Sequence, residues 1–216
     1  MFFHCLVRYY LFDLMDTVVE DPYHGTIQAL LQEIPFHEWR SYREPGAFES
    51  WECGQISEEE YFDVFYRKTL HPETRSRLIH PARIKEHLYS RPIAFKTGMA
   101  EALTNLKKSG RLALVSNYSP WFTEVLRLRP ELSDLFHHRF FSSELGVRKP
   151  FPDYYARVAR ALNITGEDQV FFIDDRAENL IEPSRAGWHP HLFKNASELL
   201  KWLAAFPDAP AHNRQI

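Results

Sequence analysis

The chain is short of the features that would commit it to several common classes. It has only two cysteines, Cys5 and Cys53, one in a strand-like run and one in loop-like surroundings. A disulfide framework is therefore not indicated, and a reducing compartment fits. No stretch approaches the roughly 18 unbroken apolar residues of a membrane span. Neither charge sign dominates. With 26 basic and 29 acidic residues the net charge is −3, which gives no footing for a nucleic-acid or membrane-surface partner. The first residues, Met1-Phe2-Phe3-His4-Cys5-Leu6-Val7, are apolar but have no early basic region, and Arg8, Asp13 and Asp16 soon interrupt them. They read as the lead-in and start of a core strand rather than a targeting signal, which makes the cytoplasm the default expectation. Internal repeats and low-complexity tracts are absent. The histidines, among them His137, His138, His189 and His191, have no cysteine partner at zinc-ligand spacing.

What is present is a core. Apolar residues make up 44% of the 216, enough for one good-sized domain or a domain carrying an insertion. From about residue 92 onward, helical and strand-like patterns alternate. Met99, Ala102, Leu103 and Leu106 recur at helical spacing before Gly110, and Leu112 to Val115 follow as an all-apolar strand. The spacing then predicts a helix over Pro120 to Leu128, a strand at Arg139 to Phe141 and a helix over Pro152 to Leu162. A strand at Val170 to Ile173, a short helix from Asn179 to Ala186, a strand at His191 to Phe193 and a final helix capped by Ser197 complete the chain. Short apolar strands alternating with helices predict an α/β fold with a parallel sheet covered on both faces.

Residues 21–91 hold no buried-strand candidate. Gly25 to Ile34 reads as a helix. Ser57-Glu58-Glu59-Glu60 is a capping box flanked by Ile56 and Tyr61, and it starts a helix running toward Leu70. This block separates the first strand from the others and is read as an inserted helical cap, with residues 1–20 and 92–216 forming the core. The tail after Pro207 reads as frayed.

Polar groups sit where the apolar strands end. Asp13 closes Tyr9-Tyr10-Leu11-Phe12, Ser116 and Asn117 follow Leu114-Val115, and Asp174 and Asp175 follow Phe172-Ile173. Lys149 lies in a loop before a helix. In a parallel sheet the strand ends share one edge, where ligands bind. A carboxylate there can attack phosphorus and divide a hard hydrolysis into two easier steps. A Mg²⁺ ion held by Asp13 and by Asp174 or Asp175 would offset the carboxylate repulsion. Lys149 supplies a second positive charge, and Ser116 a hydrogen bond to phosphate oxygens.

At these residues the chain resembles the haloacid dehalogenase superfamily, most of whose members are phosphatases. Phe12 to Glu20 follows the first motif, with Asp13 on the nucleophile and Thr17 on the family threonine. Ser116 falls on the second motif, Gly146-Val147-Arg148-Lys149-Pro150 on the third, and Asp174-Asp175-Arg176 with Glu178 and Asn179 on the fourth. Gly54 to Glu60 resembles a stretch common in helical caps of the C1 type. The resemblance implies a Rossmann-like core with such a cap, acting on a small phosphorylated substrate with Mg²⁺. It places Asp13 and Lys149 in catalysis, Ser116, Asn117 and Lys149 around phosphate, and Asp13, the Met15 carbonyl, Asp174 and Asp175 around the metal. A monomer or a homodimer is compatible with it.

One position departs from the pattern. The family's phosphatases carry a general-acid Asp two residues after the nucleophile, where this chain has Met15, with Asp16 at the usual glycine. A thioether cannot donate a proton, and such help is typically worth about 10²–10⁴-fold. On a strand-like path Asp16 would face away from the site. Three alternatives follow: halide displacement without metal, phosphonate cleavage through a cap lysine such as Lys68 or Lys85, or a binding protein without efficient turnover. In the cap, Tyr23, His24, Trp39, Arg40 and Trp51 are candidates either for shaping a pocket or for packing.

Overall fold

The computed structural model describes residues 6–31 and 34–206; the expected N-terminal lead-in with Cys5 and the tail after Pro207 lie outside the described residues. Five parallel strands form one sheet: β1 (Arg8–Phe12), β2 (Arg111–Ser116), β3 (His138–Phe141), β4 (Gln169–Asp174) and β5 (His189–Leu192). Their order is β3-β2-β1-β4-β5. The chain leaves β1 for β2 and β3 on one side, then crosses back to β4 and β5 on the other. The C-terminal end of β1 is thus the topological switch point, the place where open parallel sheets bind ligands.

The strands are apolar on both faces because both faces are covered. Tyr10, Phe12, Leu112, Leu114, Phe171 and Ile173 point into the larger core cluster. The alternate residues Tyr9, Leu11, Ala113, Val115, Val170 and Phe172 pack on the other face with Tyr154, Tyr155, Val158 and Leu162.

Between β1 and β2 come α1 (Tyr23–Leu31), α2 (Phe36–Ser41), α3 (Ala47–Glu52), α4 (Glu58–Asp63), α5 (Pro72–Ser76), α6 (Pro81–Leu88) and α7 (Met99–Leu106). Later come α8 (Phe122–Leu128), α9 (Glu131–Leu135), α10 (Ser142–Leu145), α11 (Pro152–Leu162), α12 (Ile181–Arg185) and α13 (Ala196–Leu203). Trp39, Trp51 and Tyr61 from the helices after β1, and Phe65 from the connection after α4, join the same apolar cluster as Phe12, Leu14 and Trp121, so this block packs directly above the strand ends.

Several boundaries differ from expectation. The helix starting at the Ser57 capping box ends at Asp63 instead of continuing toward Leu70. The next residues pair with the segment before α3: Glu44 N–H donates to the Phe65 carbonyl at 3.1 Å and Arg67 N–H to the Tyr42 carbonyl at 2.9 Å. That pairing draws Phe65 and Tyr66 out of the helix. The last helix is capped by Asn195 rather than Ser197, with its Oδ1 accepting from the Glu198 N–H at 2.9 Å. The segment expected as one helix from Asn179 to Ala186 is a 3-10 turn, Ala177–Leu180, followed by α12. The first helix begins earlier than expected, at Tyr23, and its described part ends at Leu31.

Candidate active site

Parallel pairing puts the site's residues side by side. Phe12 is in register with Leu114 of β2 and with Ile173 of β4. One residue further, Asp13 and Asp174 therefore lie on adjacent strands about 5 Å apart in the sheet. Both continue the residue alternation of the Tyr9 and Phe172 face, so they share a side of the sheet. The Asp13 N–H donates to the Ile173 carbonyl at 2.8 Å, which fixes the end of β1 against β4.

Two neighbouring carboxylates need a cation between them, and Lys149 is it. Its Nζ donates to Asp13 Oδ1 at 2.7 Å, to Asp174 Oδ2 at 2.6 Å and to the Val115 carbonyl at 2.7 Å. All three donors of the ammonium are used, and the side chain is only 1% exposed. Burial alone would lower the Lys149 pKa, but Asp13 and Asp174 outweigh it and raise it. The lysine is held as a cation. Burial pushes Asp13 up to about 7, against the pull of Lys149 and with help from Asp174 and Asp175. Asp175 is raised as well, by burial and by Asp174. The three carboxylates are more negative charge than one lysine offsets.

The loop holding Lys149 is anchored by Asn117. Its Nδ2 donates to the Lys149 carbonyl at 2.8 Å, and its Oδ1 accepts from the Lys149 N–H at 2.7 Å. The Asn117 amide, expected near phosphate, is occupied in positioning the lysine. Ser116 is buried at the end of β2 and lines the same cavity as Asp13 and Lys149.

The acidic pair divides its roles. Asp174 is fully buried and saturated. Besides Lys149, it accepts from the Arg176 N–H at 2.9 Å and from Asn179 Nδ2 at 2.9 and 3.1 Å. It does not line the cavity, whereas Asp175, Met15 and Asp13 do. The Asp174 Oδ1 that takes the Arg176 N–H closes a local turn at the end of β4.

Asp16 adopts a left-handed backbone with φ +55°, the conformation that favours glycine, and Asp tolerates it better than most residues. The turn is therefore not strand-like, and Asp16 lines the cavity instead of facing away from it. Its carboxylate is directed to the Asp21 N–H at 3.4 Å and to Lys96 at 3.7 Å.

Above these residues lies a cavity of about 530 Å³. The helical block supplies its upper walls, including Tyr23, His24, Trp39, Arg40 and Trp51, the five aromatic and basic candidates from the sequence. It also includes Asp21, Arg43, Glu52 and Tyr61, which sequence reasoning did not single out, and Tyr118 and Trp121 from the loop after β2. Of these, Asp21 carried a local signal as a turn residue just after the first motif, and Tyr61 only as a flank of the Ser57 capping box. Among the described lining residues Lys149 is the only lysine; Lys85 is instead paired with Glu58 at 2.7 Å.

The residues present suit a divalent cation. Asp13, Asp175 and the Met15 carbonyl offer hard oxygen donors in one cavity, and no hydrogen-bond donor to that carbonyl is found among the described residues. A divalent cation would also relieve the crowding that raises Asp13 and Asp175.

Comparison with known proteins shows the family and the fold. A family model for haloacid dehalogenase-like hydrolases matches residues 7–187. Flavin mononucleotide hydrolase 1 of Arabidopsis thaliana, described as chloroplastic, is 29% identical over 195 residues, covering 90% of this chain and 75% of that protein. A HAD family enzyme of Bacteroides thetaiotaomicron superposes with a TM-score of 0.70 in its magnesium complex, at 20% identity over 90% of this chain and 98% of that one. An aspartate-to-alanine mutant of that enzyme, in complex with magnesium and inorganic phosphate, superposes with a TM-score of 0.69 at 19% identity, over 93% of this chain and all of that one.

Proposed function

The chain belongs to the haloacid dehalogenase-like hydrolases, and from that premise we propose that it is a Mg²⁺-dependent phosphatase of a small phosphorylated metabolite, working through an aspartyl-phosphate. The observation that carries this reading is the buried Lys149 ammonium clamped between Asp13 and Asp174 at the floor of a cavity. Lys149 occupies Oδ1 of Asp13, and no partner for Oδ2 is found among the described residues, which makes Oδ2 the attacking atom.

In the first step Asp13 Oδ2 forms a bond to phosphorus, and the bond from phosphorus to the substrate's ester oxygen breaks. In the second step water attacks phosphorus, inorganic phosphate leaves, and the Asp13 carboxylate is regenerated. Lys149 offsets charge on the attacking carboxylate and the transferring group, and Ser116 is placed to donate to a phosphate oxygen. Asp13, Asp175 and the Met15 carbonyl would hold Mg²⁺, which when bound supplies positive charge against the phosphoryl oxygens. Asp174 orients Lys149 from below and is not needed as a ligand. Asn117 sets the lysine's loop.

We further propose that the helical block, residues 21–91, acts as a cap whose packing above the strand ends keeps water from the cavity. With Met15 in place of a proton donor, the leaving oxygen must take its proton from water. Substrates with good leaving groups are therefore favoured. The related flavin mononucleotide hydrolase from Arabidopsis supports a phosphomonoester as substrate class. Halide displacement is the alternative that Met15 favours. The second cavity carboxylate, Asp175, weighs against it, because a metal-free reaction uses the Asp13 nucleophile but has no need of another carboxylate beside it. A lysine-dependent phosphonate cleavage lacks a free cavity lysine among the described residues.

Purified protein is expected to hydrolyse p-nitrophenyl phosphate or acetyl phosphate with Mg²⁺ required, and Asp13→Asn to abolish this. An unchanged rate in Asp13→Asn would show that the nucleophile has been misassigned. Metal-independent chloride release from 2-chloropropionate would put halide displacement first.

A further inference from the structure

The upper cavity contains a group of hydrogen-bond donors with no acceptor of their own. The Arg43 guanidinium lies among the rings of Phe65, Trp39 and Phe48, at 4.7, 5.5 and 5.5 Å from their centroids. Its Nη1 donates to the Tyr23 phenol oxygen at 3.0 Å and its Nη2 to that of Tyr61 at 2.9 Å. Both phenols thus act as acceptors toward Arg43, which leaves their own O–H protons to donate elsewhere. No acceptor for either proton is found among the described residues. Burial holds the Tyr61 phenol well above its ordinary range and raises that of Tyr23, so both stay neutral donors. Trp51, 1% exposed and lining the same cavity, has an indole Nε1–H with no partner, whereas the Nε1–H of Trp39 donates to Tyr66.

The nearby carboxylates are already engaged. Asp16 faces Lys96, Asp21 accepts from the Tyr23 N–H at 2.9 Å, and Glu52 pairs with Arg148 at 3.0 Å. Among the described residues Arg43 has no carboxylate within ion-pair distance. A half-buried cation and three unused donors in one place offer a set of hydrogen bonds that a ligand entering the cavity can accept, and donors left without acceptors as water is displaced would cost free energy. The walls around them are flat. Trp51 and Tyr61 stack at 4.2 Å with planes 5° apart, and Phe48 and Phe65 close the sides.

We propose that Arg43, Tyr23, Tyr61 and Trp51 form a specificity subsite for the leaving group, and that this group is a planar ring carrying carbonyl oxygens. The ring stacks against the aromatic walls, and its oxygens accept from the phenols, the indole and the guanidinium. The proposal rests on the phosphatase reading of the same cavity and deepens it by naming the part of the substrate remote from phosphorus.

The test uses 4-methylumbelliferyl phosphate, whose flat ring carries a carbonyl, and 1-naphthyl phosphate, whose ring carries none. The double variant Tyr23→Phe/Tyr61→Phe removes two hydroxyls, and with them the acceptors of Arg43, and leaves the rings. It is expected to raise KM for the first substrate about thirtyfold, given about 1 kcal/mol for each of the two lost hydrogen bonds. KM for the second should stay within about twofold, and so should kcat on both. If the double variant folds poorly by thermal melting, Tyr23→Phe alone gives the same comparison at the less buried ring. Equal changes for both substrates, or none for either, overturn the subsite. So does a loss confined to 4-carboxyphenyl phosphate, which would make the occupant a carboxylate. A phosphate-free measurement separates this idea from the phosphatase reading. Fluorescence titration with 4-methylumbelliferone should show binding to the wild-type protein that the double variant weakens, even if no phosphate ester is turned over. No binding, or binding that the variant leaves unchanged, counts against the subsite alone.

Discussion

Lys149 concentrates the residue-scale argument. A buried lysine is costly unless its charge is matched, and here two carboxylates and a backbone carbonyl match it. Replacing it by methionine keeps the shape but leaves Asp13 and Asp174 facing each other without a cation. Lys149→Met is therefore expected to lose all hydrolysis and to destabilise the fold by about 3–5 kcal/mol in urea unfolding, the scale seen when one partner of a buried pair is removed. Unfolding at the wild-type midpoint would show that Lys149 is not part of the buried network. Met15 is the opposite case, a residue at the site with nothing to donate. Met15→Asp is expected to raise turnover more on alkyl phosphates, which are poor leaving groups, than on p-nitrophenyl phosphate. A uniform change on both would mean that the new carboxyl acts on something other than the leaving oxygen.

Individual elements depend on their ends. Asn195 caps α13, whose Leu199 and Leu203 are buried, so Asn195→Ala should cost about 1 kcal/mol in urea unfolding. In α4, bonds from the Ser57 backbone and side chain hold the Glu60 carboxyl below its usual value of 4.5. A depressed carboxyl contributes stability above that value and loses it as pH falls through the lowered one. The urea midpoints of wild type and Glu60→Gln should therefore differ near neutrality and converge in acid; a constant gap would contradict the linkage. Capping boxes and apolar strands are local signals, which is why Ser57 and the strands β2 and β4 were legible from sequence. The end of α4 was not, because the pairing of Tyr42 and Glu44 with Phe65 and Arg67 is a contact across more than twenty residues. Asp13, Ser116, Lys149, Asp174 and Asp175 were legible as strand-end or loop residues. Their division of labour was not, since only coordinates show Asp174 saturated and Asp175 turned to the cavity. Arg43 carries no motif and Tyr61 shows only as a flank of the Ser57 capping box, so their place at the site becomes visible only when the cavity is seen.

At the scale of the whole molecule, the packing of the helical block over the switch point of the sheet makes one cavity from distant segments. Among the described residues no helix is long and apolar enough to cross a membrane. On the proposed reading a cation would be held by Asp13, Asp175 and the Met15 carbonyl in the native state alone, so Mg²⁺ should stabilise the fold by about 2.7 kcal/mol at a hundredfold excess over its dissociation constant. Asp175→Asn should lose most of that increment while the metal-free protein unfolds near the wild-type midpoint. Asp174→Asn should instead lower the midpoint of the metal-free protein, because it leaves Lys149 partly unmatched. The reverse pattern would exchange the roles assigned to the two aspartates.

The most direct measurement is to trap the covalent intermediate. Protein mixed with radiolabelled acetyl phosphate and Mg²⁺ is quenched in acid, digested, and the labelled peptide sequenced. The account predicts a hydroxylamine-labile phosphoryl group on the peptide containing Asp13, absent from Asp13→Asn. Steady turnover with no label at Asp13, or with the label on another residue, would contradict it.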